Sequence, residues 1–227
     1  MPFFIEIRFT RVLAAVVLGI PAPAVATVVA QWNMDNTFGT TMEDTSGYGN
    51  NGTTYNIVTS GGGYIFNGTN SKAVVPHTDS LNPGDSDFSY SAQVQTDTLP
   101  PTNGDYDIIR KGAGSTVGGG FRMEIQNHHG LAEAYCSVSD NAGHTASIRG
   151  TTNVADNQLH TLTCQKTSTN LTLLVDDLPP RIKTATIGAV TNTKALGIGV
   201  KSPTTKSSSD GDWYAGTMRS ASISIGP

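Results

Sequence analysis

Charge is scarce in this chain. Only 14% of its 227 residues are Asp, Glu, Lys or Arg, well below the roughly 25% of average soluble proteins. The balance is acidic, with a net charge of −4. Phosphate-backbone binding needs clustered Lys and Arg, and here they are scattered, so no nucleic-acid partner is expected. No segment carries a sustained helical stripe. No apolar run reaches the ~20 residues that span a bilayer, the N-terminal one included, so no membrane span is expected in a mature chain. Several chemistries have no motif here. There is no Gly-x-Ser-x-Gly elbow, no phosphate loop and no His-Glu-x-x-His helix. Retaining glycosidases need two carboxylates about 5–5.5 Å apart, which a strand supplies as Glu-x-Asp-x-Glu; no such run occurs, and Glu124 stands alone on its segment.

What fills the space is Ser, Thr, Asn and 25 Gly, with 37% hydrophobic residues. That mixture favours short strands joined by turns. In Phe121-Arg-Met-Glu-Ile-Gln126, apolar and polar residues alternate, the signature of a half-buried strand. Segments 132–138, 160–165, 171–175, 195–200 and 220–225 read similarly. Gly61-Gly-Gly63, Pro83-Gly84, Pro100-Pro101, Gly118-Gly-Gly120, Asp176-Asp177 and residues 207–210 break them. This spacing, without intervening helices, predicts an all-β, two-sheet antiparallel sandwich or jelly roll. No linker or internal repeat divides it.

The first residues carry a targeting pattern. Arg8 and Arg11 precede the apolar run 12–20, then Pro21-Ala-Pro23 and Ala24-Val25-Ala26 follow. Basic region, short apolar core and small-x-small site describe a secretory signal peptide over residues 1–26, leaving 27–227 as one extracellular domain. Export makes a disulfide the default for the two cysteines, Cys136 and Cys164. Because each falls on a predicted strand, the bridge is expected to pin two neighbouring strands of one sheet.

The order of segments resembles laminin-G-like domains of the concanavalin A-like lectin/glucanase superfamily. The resemblance rests on Trp32-Asn-Met-Asp35, residues 39–47 with Asp44, Gly49-Asn-Asn-Gly-Thr53, Phe66-Asn-Gly-Thr-Asn70, Phe88-Ser-Tyr-Ser-Ala92 and Ile109-Arg-Lys-Gly112. It continues in Asp156-Asn-Gln-Leu-His160, Leu171 to Asp176, and Tyr214-Ala-Gly-Thr-Met218. It implies a jelly roll with one concave sheet, and covers essentially the whole mature chain. The sequence departs from the family pattern at Leu159, Asp177 and Arg219. The last stands where an acid is common, which weakens a metal site that would use it. The fold hosts lectins, enzymes and adhesion modules alike.

Candidate residues follow. Asp35, Asp44 and Asn50, with Asn51, lie in a Gly-rich stretch that could offer Ca2+ the loop oxygens it prefers; Asx-type turns are the alternative. Asp85, Asp87, Asp210 and Asp212 read as solvated turns. Arg122, Glu124, Gln126 and His128 would share one strand face and form a polar groove for a carbohydrate. Arg122, Gln126 and His128, with Tyr135 from a neighbouring strand, could also serve a polysaccharide lyase. His128 and His129, adjacent on a strand, should point to opposite faces, and His160 should play a structural part. Trp32 and Trp213 are either core or, if exposed, sugar platforms. The leading expectation is a secreted, non-catalytic, carbohydrate-binding module. An extracellular structural or adhesion protein, bound to protein or to itself, is the second, and a lyase the third; the oligomeric state is left open.

Overall fold

A computed structural model describes residues 1, 25–36, 39–112, 115–204 and 211–226. The expected signal peptide lies almost wholly outside the described residues, as does Asp210. The strands are β1 (Thr27–Trp32), β2 (Thr41–Met42), β3 (Gly52–Tyr55), β4 (Val58–Ser60), β5 (Gly63–Asn67), β6 (Lys72–Val75), β7 (Phe88–Gln95) and β8 (Asp105–Lys111). They continue with β9 (Gly120–His128), β10 (Leu131–Ser139), β11 (Thr145–Asn153), β12 (Leu159–Lys166), β13 (Asn170–Val175), β14 (Arg181–Thr184), β15 (Leu196–Ile198) and β16 (Ala215–Ile225). Among the described residues, no helix is long and apolar enough to cross a membrane.

The strands form two eight-stranded sheets. Sheet A runs β14-β13-β12-β7-β16-β5-β4, with β1 also pairing β16; sheet B runs β11-β10-β9-β8-β15-β6-β3-β2. Every strand pair is antiparallel. The two-sheet sandwich expected from the sequence is therefore the architecture of the chain.

Period-two alternation sets the faces. On β7, Phe88, Tyr90, Ala92 and Val94 are buried, while Ser89, Ser91, Gln93 and Gln95 between them are half-buried. On β9, Phe121, Met123 and Ile125 enter the core and send their neighbours outward. Phe121 from sheet B meets Phe88 and Tyr90 from sheet A at centroid distances of 5.4 and 5.0 Å, so aromatic contacts join the layers. Trp32, at 0% exposed, is part of the core and no sugar platform, while Trp213, at 5% exposed, lines a cleft beside Asp105 and Asp212. The turn entering β9 depends on glycine: Gly118 and Gly119 have φ of +91° and +78°, and a Cβ on either would strike the carbonyl oxygens of Thr191 or Ser139.

Cys136 and Cys164 are bonded, but not within one sheet as expected. Cys136 is on β10 of sheet B and Cys164 on β12 of sheet A, with Cα atoms 5.7 Å apart. Each shares strand parity with core residues, Ala134 and Val138 on one side and Leu162 on the other, and both are fully buried. The bridge therefore crosses the interior and fastens the two layers to each other.

Candidate functional site

The outward side of β8–β11 carries a connected network of polar side chains. Its centre is Glu124, which alternation turns outward yet which is only 1% exposed. Longer neighbours cover it. Arg110 Nη2 donates to Glu124 Oε1 at 2.7 Å, and Arg122 Nε stands 2.9 Å from the same oxygen. Gln126 Nε2 donates to Oε2 at 2.7 Å. Gln126 Oε1 in turn accepts from Arg149 Nε and Nη2 at 3.0 and 2.7 Å. The amide of Gln126 thus links a carboxylate on β9 to a guanidinium on β11.

Tyr135 of β10 lies between these strands, paired with Glu124 on one side and Arg149 on the other. The Arg122 and Arg149 guanidiniums sit 5.6 and 5.8 Å from its ring centroid, within cation–π range. Arg122 keeps 32% of its side chain exposed, so the lattice presents guanidinium edges to solvent. At its end, His128 Nδ1 meets Glu133 Oε2 at 3.0 Å. The structure therefore gathers Arg122, Glu124 and Gln126 into one connected unit, with His128 beside it. Glu124 is the buried anchor that holds the others, not an open contact. His128 and His129 do not point apart: the strand ends at His128, His129 takes φ +55° in the turn, and their ring centroids lie 4.1 Å apart.

Sequence reasoning missed β8. The register of β8 on β9 shifts between Asp107 and Ile109, a bulge that resets the alternation. Ile108 and Ile109 consequently both enter the core, and Asp107 and Arg110 both turn outward, with Arg110 Nε 2.8 Å from Asp107 Oδ1. The Asp105-x-Asp107 spacing was the available signal, since alternate strand residues share a face. Asp212 is no solvated turn residue; its side chain is 19% exposed and pairs with Lys201 at 2.6 Å. Its backbone carbonyl accepts from Asp107 N at 2.9 Å. Burial, then the nearby Glu124 and Asp212 charges, push Asp105 up to about 6.

The Asp35–Asn50 loop is arranged differently from a cation cage. Asp44 Oδ1 accepts from Gln31 N and Ser46 N, each at 2.9 Å, and Oδ2 from Ser46 Oγ and Asn50 N, each at 2.8 Å. Four donors occupy the roughly four lone-pair sites of a carboxylate. The Asn50 side chain is likewise engaged, with Val29, Thr78 and Ser80. Asp35 is exposed. The loop is a side-chain-capped turn that seats Trp32, whose Nε1 donates to Asn50 O at 2.8 Å.

His160 is held between two carboxylates, Nδ1 at 2.7 Å from Asp176 Oδ2 and Nε2 at 2.9 Å from Asp156 Oδ1. Burial opposes its charging, but the bonds to Asp176 and Asp156 outweigh that and raise its pKa above 6.5. The folded state therefore binds the proton more tightly than the unfolded chain. This stabilisation is complete below 6.5 and disappears as pH rises through the folded value. Thermal melts across pH 6–8 should show wild type losing more stability than His160→Gln over that interval; parallel losses would remove the ion-paired role.

No protein-family model matches this sequence, and no curated protein matches it. Solved structures share its fold. The botulinum neurotoxin serotype D binding domain superposes with a TM-score of 0.62 at 13% identity, over 88% of this chain and 48% of that one. Domain 4 of AbnA, an extracellular arabinanase from Geobacillus stearothermophilus solved in complex with arabinotriose, gives 0.62 at 16% identity, over 88% and 93%. Mouse laminin alpha1 domains LG4-5 give 0.52 at 15% identity, over 71% and 40%. The chain spans about half the length of the neurotoxin binding domains it matches. It has the laminin-G-like, concanavalin A-like fold that the sequence resembled.

Proposed function

We propose that this chain is a secreted, non-catalytic module that binds carbohydrate on the outer face of sheet B. The observation that carries this reading is the lattice built from Arg122, Gln126, Tyr135 and Arg149. Its donors are fixed by mutual bonds, so little rotamer freedom is lost when a ligand docks. Guanidinium edges beside a tyrosine suit the hydroxyls and any carboxylate of a sugar chain. The company the fold keeps supports the same class: the arabinanase domain was solved with arabinotriose, and botulinum neurotoxin type C, a further structural neighbour, depends on two ganglioside molecules for cell entry.

A lyase would use Arg122, Gln126, His128 and Tyr135 on this same face. Arg122 and Gln126 are committed to Glu124, and His128 to Glu133, which favours holding a ligand over moving its proton. The adhesion alternative has one observation of its own. β14 is an edge strand whose residues Arg181–Thr184 are all exposed, with Ile182 60% exposed. Arg181 and Lys183 on that edge are the charges that discourage strand-to-strand association.

The test is a glycan array probed with wild-type protein and with Tyr135→Ala and Arg149→Ala. A specific hit weakened at least about tenfold by each variant is expected, since a well-placed aromatic or charged contact contributes more than about 1.4 kcal/mol. A blank array would move the function to protein binding, and turnover of a bound polysaccharide would end the non-catalytic assignment.

A further inference from the structure

We infer that Asp105, Asp107 and Asp212 form a binding site for a hard divalent cation, Ca2+ before others. Asp105 and Asp107 leave β8 on its outer side, and Asp212 arrives from the segment before β16. One oxygen from each lies within 4.8 Å of the other two. Oxygens held at 2.3–2.6 Å from a single Ca2+ stand at most about 4.6–5.2 Å apart, so the three fit around one ion.

Asp107 is the residue that points to a ligand. Its side chain is 0% exposed, yet neither of its carboxylate oxygens accepts a hydrogen bond. Arg110 Nε is near one of them at 2.8 Å but out of hydrogen-bond alignment. Asp105 Oδ1 is also buried without a hydrogen-bond partner. Buried carboxylate oxygens rarely stay bare. Positive charge nearby is already divided. Arg110 and Arg122 both contact Glu124 Oε1, and Lys201 holds Asp212 from the solvent side with 48% of its side chain exposed. Three carboxylates this close together, one of them buried with bare oxygens, are what a divalent cation relieves. The ion would tie β8 to the start of β16 in the wall of a cleft of about 900 Å³ lined by Asp105, Tyr106, Asp212 and Trp213. This site is separate from the Asp44 loop and does not depend on the glycan assignment.

Calorimetric titration of the protein with CaCl2 tests it, with Tb3+ luminescence sensitised through Trp213 as a second readout. One saturable site is expected, weakened at least about tenfold in both Asp105→Asn and Asp212→Asn and retained in Asp44→Asn. Circular dichroism confirms that each variant is folded, and the partly exposed Asp105 keeps the test valid if Asp107→Asn misfolds. Absence of saturable binding up to roughly 10 mM Ca2+, beyond the weakest extracellular modules, overturns the site. So does affinity unchanged in Asp105→Asn and Asp212→Asn, or lost only in Asp44→Asn.

Discussion

Replacing Cys136 and Cys164 together by alanine is expected to lower the unfolding free energy by about 3 kcal/mol. The two residues are 28 apart in sequence, and opening that loop restores entropy to the unfolded chain. Position adds a further effect. The bond joins β10 of sheet B to β12 of sheet A, where the layers otherwise meet through apolar contacts. Its loss should therefore promote separation of the sheets at that edge before the rest unfolds. For a domain of this size the melting midpoint should fall by about 6–12 °C. Calorimetry of the double variant, with hydrogen exchange on β10 and β12, checks both parts. An unchanged midpoint would mean that packing alone sets the sheet separation.

Glu124→Ala is the second large effect, expected to cost about 3–5 kcal/mol. The substitution strips a carboxylate from Arg110, which is 5% exposed, and from Arg122. Both guanidiniums then lose a counter-charge in a partly dry place, and the penalty comes from that weakened compensation more than from the lost attraction. Arg110 would retain Asp107; Arg122 would lose its carboxylate partner. Chemical denaturation of Glu124→Ala, Arg110→Ala and the double variant forms a cycle that isolates the coupling. Additive losses would show that Glu124 and Arg110 do not act as a unit. Because Gln126 is oriented by Glu124 Oε2, the single variant should also loosen the surface proposed to hold sugar.

Strand alternation made much of this fold legible. Phe121, Met123 and Ile125 alternate cleanly, and β9 follows them. Parity also carried the direction of the disulfide. Cys136 shares a side with Ala134 and Val138, and Cys164 with Leu162, so both had to face the interior. Strand membership alone, without that parity, gave the wrong partner sheet. The bulge after Asp107 was harder to see, because an inserted residue breaks the alternation and gives Ile108-Ile109 the look of a continuous buried run. Asp212 was beyond reach for another reason: it joins Asp105 only through a contact spanning about half the chain, and local composition marks its surroundings as turn. The polar quartet of β9 could be placed on a face from sequence. That Glu124 is the buried member, and Tyr135 the centre of two guanidinium contacts, depends on cross-strand register.

The most direct test of the sheet B assignment is amide chemical-shift mapping of the 15N-labelled protein against the best oligosaccharide from the array. Shifts are expected to concentrate on β9, β10 and β11, around Arg122, Gln126, Tyr135 and Arg149, and to vanish in Tyr135→Ala. Shifts confined instead to the cleft beside Asn67, Leu99 and Trp213, with the β9–β11 amides unmoved, would contradict that assignment.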